Sequence, residues 1–182
     1  MRLSSLEKTD LLLLLLYSKG RTGRLNEPVV GITRLMKLLF LLSKTAEVNQ
    51  FTFEPYKMGP FSSEVYPELD FLQNFPTPAE PFVETGEKTT SDITPENLRL
   101  IQEMSEEDAS LTSEEINKPF RLTDLGAQIS EEIWKTLESA DQQHIERLKT
   151  EYGNLNLRDL LKYVYVHYPD MTTKSEIKDQ IL

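Results

Sequence analysis

A run of six consecutive leucines at positions 11–16 constrains the fold more than any other feature of the sequence. A helix with leucine on every side has no polar face for water, so the rest of the chain must surround it. The run is far shorter than the roughly 20 apolar residues that cross a membrane. Glu7 and Asp10 precede it, and no small-residue cleavage site follows, which argues against a secretory signal. We therefore predict a buried helix over residues 4–18 in a cytoplasmic protein without a membrane segment.

The charge balance and the absence of cysteine narrow the classes of function. Thirty acidic residues against 20 basic ones give a formal net charge of −10. Broad, non-specific binding of nucleic acids depends on clustered Lys and Arg, and this composition argues against it. The chain has no cysteine, which excludes disulfides, thiolate catalysis and cysteine-ligated zinc.

The length of 182 residues favours one compact domain. Within it we predict a helical, winged-helix-like core over 1–75, an acidic insertion or linker over 76–118, and a wing-exit strand with C-terminal helices over 119–182. The middle segment holds 11 acids and 3 bases, which is most of the excess negative charge. The predicted fold class is mainly α with a small β-sheet.

The second predicted helix, "RLMKLLFLLSKTAEV", begins at a Thr33 cap and is apolar around most of its circumference. Arg34, Lys37 and Lys44 fall within about a quarter of the circle at 100° per residue, which predicts one narrow basic stripe. A short aromatic strand, "FTFEPY", follows it. We interpret "KMGPF" as a joint from this strand to a third helix, because it lacks the glycines and the Lys-Ser/Thr of a phosphate-binding loop.

Two stretches resemble known families. "ITRLMKLLFLL" followed by "PYKMGPFSSEVYPELDFL" resembles the Panacea (SocA-like) antitoxin domain and related winged-helix-like proteins. The matching positions are Leu35, Lys37, Leu38, Leu39, Phe40, Tyr56, Gly59, Pro60 and Tyr66. "FRLTDLG" at 120–126 separately resembles the exit from the wing in many winged-helix regulators. The resemblance implies a small non-enzymatic antitoxin or regulator, linked to toxin neutralisation or phage defence, and it supplies no catalytic site.

The third helix argues against DNA reading. In a helix-turn-helix the second helix of the pair reads the major groove with Arg, Lys, Asn or Gln. Here it carries Glu64, Glu68 and Asp70 and no base, so it would repel phosphates. Residues 1–50 hold eight bases and four acids, so a basic patch formed by these residues stays a prediction.

Six basic residues are therefore candidates for binding a partner or nucleic acid: Arg21, Arg24, Arg34, Lys37, Lys44 and Lys57. We predict no catalytic residue and no cofactor. We also predict no metal site, since the two histidines lie 23 residues apart without a third ligand at a suggestive spacing. The favoured function is a protein-binding, antitoxin-like or defence-associated regulator. A winged-helix transcriptional regulator that binds DNA is the alternative, an enzyme is third, and the C-terminal tail is a candidate surface for a homodimer.

Overall fold

The computed structural model describes residues 1–87 and 118–182, and in them the chain is mainly α-helical with little β-structure. The helices are α1 (Lys8–Tyr17), α2 (Ile32–Thr45), α3 (Val65–Asn74), α4 (Asp124–Thr136), α5 (Ser139–Tyr152), α6 (Leu157–His167) and α7 (Lys178–Ile181). The strands are β1 (Val29–Val30), β2 (Glu54–Tyr56), β3 (Gly59–Phe61), β4 (Val83–Thr85) and β5 (Pro119–Leu122). Short 3-10 turns lie at Leu3–Ser5 and Pro169–Thr172.

The three-stranded sheet has the order β1-β5-β4, and both pairs are antiparallel. Val29 lies opposite Phe120, and Val83 lies opposite Leu122. Strand β1 lies between α1 and α2 in the chain and pairs with β5, whereas β4 and β5 both follow α3. This is the connectivity of a winged helix. This confirms the predicted fold class. Strand β4 lies inside the predicted insertion at 76–118, so the first part of that segment belongs to the sheet. Residues 88–117 of the predicted insertion lie outside the described residues.

Helix α1 is the buried centre of the molecule, as the leucine run predicts. All six of its leucines are at most 3% exposed, and α3, α4, α5 and β5 pack around it. The helix begins at Lys8, later than the predicted residue 4, because Glu7 is its N-cap. The Glu7 and Asp10 side chains form a reciprocal capping box. In the described ranges, no helix has both the length and the apolar character that a bilayer span requires.

Helix α2 packs against β1, β3, α5 and α6, and every residue from 32 to 42 is buried. Its N-cap is Gly31 (φ 84°), so the predicted Thr33 cap is wrong and Thr33 lies inside the first turn. Strands β2 and β3 form a hairpin in which Pro55 faces Pro60. "KMGPF" is therefore the turn and second strand of this hairpin, which then leads into α3.

The C-terminal helices pack onto the same core. Helix α6 contacts α2 and β3, and the Tyr168 ring meets Phe40 edge-on with 5.0 Å between centroids. Tyr163 and His167 share one helical face, as their spacing predicts, and their rings stack at 4.0 Å.

Candidate functional site

The six candidate bases do not come together on one surface. Arg21 and Arg24 are exposed in the loop between α1 and β1. Lys44 is exposed at the other end of α2, with its ammonium 5.6 Å from the centroid of the Phe40 ring. Lys57 is half-buried in the hairpin turn.

The predicted basic stripe on α2 is wrong, because Arg34 and Lys37 are each only 3% exposed. The Arg34 guanidinium donates to the carbonyls of Val30 and Leu155. Lys37 Nζ donates to Pro60 O at 2.8 Å. The helical periodicity placed both side chains correctly on one side of α2, but the hairpin and the loop before α6 cover that side. These two bases bind neighbouring segments to α2 and do not form a basic stripe on its surface.

Four of the nine positions that carry the family resemblance, Lys37, Tyr56, Gly59 and Tyr66, line a small pocket between α2, the β2–β3 hairpin and α3. The side chains that matter for its chemistry are Thr33, Met36, Lys37, Tyr56, Phe61 and Tyr66, and we call this cavity the Lys37 pocket. The Tyr56 and Phe61 rings lie 4.8 Å apart, and the Phe61 and Tyr66 rings lie 6.0 Å apart, which makes an aromatic wall. Gly59 (φ 86°) also lines the cavity, and a Cβ there would come within 2.8 Å of the Tyr165 ring.

Lys37 gives this pocket an unusual charge. Burial, with no other cause, lowers the pKa of its ammonium from 10.5 to about 7. No carboxylate of residues 1–87 or 118–182 forms an ion pair with it. Thr33 lines the same cavity, and its hydroxyl is buried without a hydrogen-bond partner within those residues.

Helix α3 occupies the position of the recognition helix, between α2 and the first wing strand. Val65, Leu69 and Leu72 bury its inner side. The opposite half of the helix is exposed, and we call this half the α3 face. It consists of Tyr66, Pro67, Asp70, Phe71, Asn74 and Phe75.

The α3 face is aromatic and acidic. Phe71 is 46% exposed, Phe75 is 43% exposed, and their rings stack at 4.8 Å. Phe82 meets Phe75 edge-on at 5.4 Å and continues the cluster towards β4. Sequence reasoning missed this cluster, although the four-residue spacing of Phe71 and Phe75, out of phase with Leu69 and Leu72, was a signal for it.

The acids near α3 differ in how strongly other groups of the protein bind their carboxylates. Glu64 accepts from the Thr52 backbone N–H at 2.8 Å and pairs with Lys8 at 3.2 Å. The Thr52 bond first, and then Lys8, hold the pKa of Glu64 below its usual value. Asp70 lies exposed on the α3 face, and Glu68 borders a shallow cleft that Phe71 also lines. These two carboxylates leave their negative charge on the outer side of α3.

Residues 1–87 and 118–182 contain no cluster of three or more His, Asp or Glu side chains that could hold a metal ion. No protein-family model matches this sequence, and no curated protein matches it.

Proposed function

We propose that this chain is a non-enzymatic, antitoxin-like or defence-associated regulator in the cytoplasm, which acts by binding a protein partner through the α3 face. The observation that carries the proposal is the chemistry of that face. Three exposed rings and a single Asn lie on the helix where a DNA-reading helix would carry several Arg, Lys, Asn or Gln side chains. The acids Glu68 and Asp70 add negative charge to the same side of the helix.

The stacked pair of Phe71 and Phe75 is the centre of the proposed interface. Aromatic side chains are enriched among the residues that dominate binding energy, and they work best in pockets from which water is excluded. Two phenylalanines that are more than two-fifths exposed in the free chain gain burial when a partner covers them. Fully burying an exposed Phe contributes about 1.5–3 kcal/mol.

The surrounding charge indicates the chemistry of the partner. Asp70 lies on the face itself, Glu68 lies beside it, and the whole chain has a net charge of −10. Opposite charge steers association and fixes the register of two surfaces. The partner that fits is a protein with an apolar pocket inside a basic rim, such as a toxin or another defence component. The resemblance to the Panacea (SocA-like) antitoxin domain supports this class, and three of the matching residues, Tyr56, Gly59 and Pro60, lie in the hairpin that precedes α3.

A DNA-binding transcriptional regulator is the second candidate. The sheet order β1-β5-β4 favours it, because this connectivity is shared with winged-helix regulators. Arg21 and Arg24 are the exposed bases that would then contact phosphates, from the loop before β1. If this candidate is correct, the loop before β1, and not α3, contacts the nucleic acid.

Photo-crosslinking from two positions separates the candidates. A benzophenone amino acid replaces Phe71 in one variant and Leu25 in the other. Leu25 is 42% exposed in the Arg21–Arg24 loop, and this loop follows the C-terminal end of α1. Phe71 lies beside residues 7–9 at the N-terminal end of the same helix. The two probes therefore report on surfaces near opposite ends of α1, which is about 15 Å long.

Each variant is irradiated in cells of the organism that encodes the chain, and the products are identified by mass spectrometry with and without nuclease. We expect the Phe71 probe to capture one basic protein that survives nuclease, and the Leu25 probe not to capture it. Lysine at position 70 should abolish that capture, whereas lysine at the exposed, distant Glu151 should leave it unchanged. Nuclease-sensitive DNA adducts from the Leu25 probe, with nothing specific from Phe71, would instead support the transcriptional regulator.

A further inference from the structure

We propose that the Lys37 pocket is a binding site for a single carboxylate group, held by the Lys37 ammonium and the Thr33 hydroxyl. This inference goes beyond the proposed function and does not depend on it. It concerns the cavity between α2, the hairpin and α3, whereas the proposed partner interface centres on Phe71 and Phe75; Tyr66 borders both.

The Lys37 ammonium has unused donor capacity. A protonated lysine carries three N–H donors, and Pro60 O at 2.8 Å accepts one of them. The described residues provide no anion for the remaining two. A buried charge without a counter-charge is costly, and a carboxylate in the cavity would remove this cost.

Thr33 is a second, independent indication of a ligand. Its hydroxyl is buried and without a partner, although the residue is only 5% exposed and buried hydroxyls are normally hydrogen-bonded. Thr33 and Lys37 lie four residues apart, so both side chains project from one side of α2. Both line the same cavity.

The N-terminal end of α2 also favours an anion in the cavity. Thr33 lies in the first turn of a 14-residue helix, and no side chain caps that turn. The first turn of a helix carries partial positive charge on its unpaired N–H groups, which favours an anion nearby. The ammonium, the hydroxyl and the helix end thus all favour a negatively charged group in this cavity.

The size and walls of the cavity select a carboxylate. The cavity leaves only about 20 Å³ to the centre of a water-sized molecule, and its total empty space, with the open mouth included, is about 310 Å³. Such a space takes a chemical group of a few atoms and not a whole cofactor. A phosphate dianion would need more donors than one lysine and one hydroxyl, and the remaining walls add only the hydroxyls of Tyr56 and Tyr66. These walls suit the carbon atom next to a carboxylate.

Titration with sodium acetate tests the site directly. The Met36 and Met58 methyl groups line the cavity and serve as NMR probes, while Met1 and Met171 lie elsewhere and report on general effects. We expect saturable shifts of the Met36 and Met58 signals with a dissociation constant in the millimolar range. Acetamide, a neutral molecule of the same shape, should cause none when the ionic strength is held constant.

Three variants assign the effect to the proposed groups. Lys37→Met should abolish the saturable shift, and Thr33→Val should weaken acetate binding about tenfold, as expected for one hydrogen bond to a charged group. The matched control Lys44→Met removes an exposed lysine from the same helix and should bind acetate like the wild type. Thr33→Val keeps the shape of the side chain. This variant therefore still tests the site if Lys37→Met does not fold.

Two peptides identify the source of the carboxylate. Acetyl-Gly-Gly with a free C-terminus and acetyl-Gly-Asp-Gly-amide carry it on a chain end and on a side chain, respectively. Tighter binding of either peptide than of acetate supports a carboxylate on a protein chain, and equal binding supports a free small acid. Equal shifts with acetamide and acetate, or shifts that persist in Lys37→Met, would overturn the site. Phe71→Ser should retain acetate binding, so failure of the α3 interface and failure of this site are distinguishable.

Discussion

Replacing Lys37 by Met should change how the stability of the protein depends on pH. The ammonium lies 3% exposed beneath the hairpin, and burial lowers its pKa from 10.5 to about 7. Between these two values the unfolded chain holds a proton that the folded chain has released. The free energy of unfolding therefore rises with pH in this window, and Lys37 costs most stability below about pH 7.

The size of the effect follows from the shift. One pKa unit corresponds to about 1.4 kcal/mol, so lowering the pKa from 10.5 to about 7 sets an upper bound of about 5 kcal/mol on the cost of burying the charge. Integrating the difference in proton binding from about pH 7 to about pH 9 gives a gain of about 2 kcal/mol from Lys37 alone. Methionine cannot titrate, so the Lys37→Met variant should lack this gain.

Urea unfolding at several values between about pH 7 and about pH 9 measures the difference. The exposed Lys162 on α6 provides the matched control, because Lys162→Met removes the same charge from a solvated position. We expect the control to keep the wild-type rise and Lys37→Met to lose about 2 kcal/mol of it. An equal rise in Lys37→Met and wild type would refute the argument that Lys37 is buried without a counter-charge.

Three further substitutions test the packing around the sheet and α1 by urea unfolding. Gly126→Ala should destabilise the protein by at least about 2 kcal/mol, although alanine normally favours a helix, because its Cβ would lie 2.0 Å from Phe82 O. Thr123→Val should cost about 1–2 kcal/mol, since the hydroxyl caps α4 and donates to Pro81 O at 2.6 Å. Lys149→Met should reduce the rise of stability above about pH 7, as burial also lowers the pKa of Lys149 to about 7. A wild-type unfolding midpoint for either of the first two variants, or a wild-type pH profile for the third, would contradict these contacts.

The burial of α1 was predictable, because its sequence has no polar face. A run of leucines without a polar face must be buried, and all six leucines of α1 are buried. The cap was harder to place, since both Ser4 with Glu7 and Glu7 with Asp10 have capping spacing. The structure uses the second pair and leaves Ser4 in a 3-10 turn. Local spacing thus identified the helix but not its first residue.

The hairpin was not predictable from local signals. Pro55 and Pro60 face each other across it, and proline is depleted in strands because it offers no N–H to the ladder. The pairing depends on contacts distant in sequence, such as the Lys37 bond to Pro60 O and the packing of β3 on α2 and α6. The same contacts explain the failed prediction for α2. Helical periodicity gives the side of the helix on which Arg34 and Lys37 lie, but not what covers that side.

The distribution of the bases decides how far the N-terminal positive charge can serve DNA binding. Residues 1–50 carry eight bases, but Arg34 and Lys37 are buried, Lys8 pairs with Glu64, and Arg2 lies 3.8 Å from Glu138. The remaining four include Lys44 at the far end of α2, so the concentrated positive surface shrinks to the short loop at 19–24. Few phosphate contacts mean weak affinity with a shallow dependence on salt. The winged-helix connectivity is therefore retained without the charge that usually accompanies it, whereas two stacked rings and an acid remain exposed on α3. That combination favours recognition of a protein surface over a phosphate backbone.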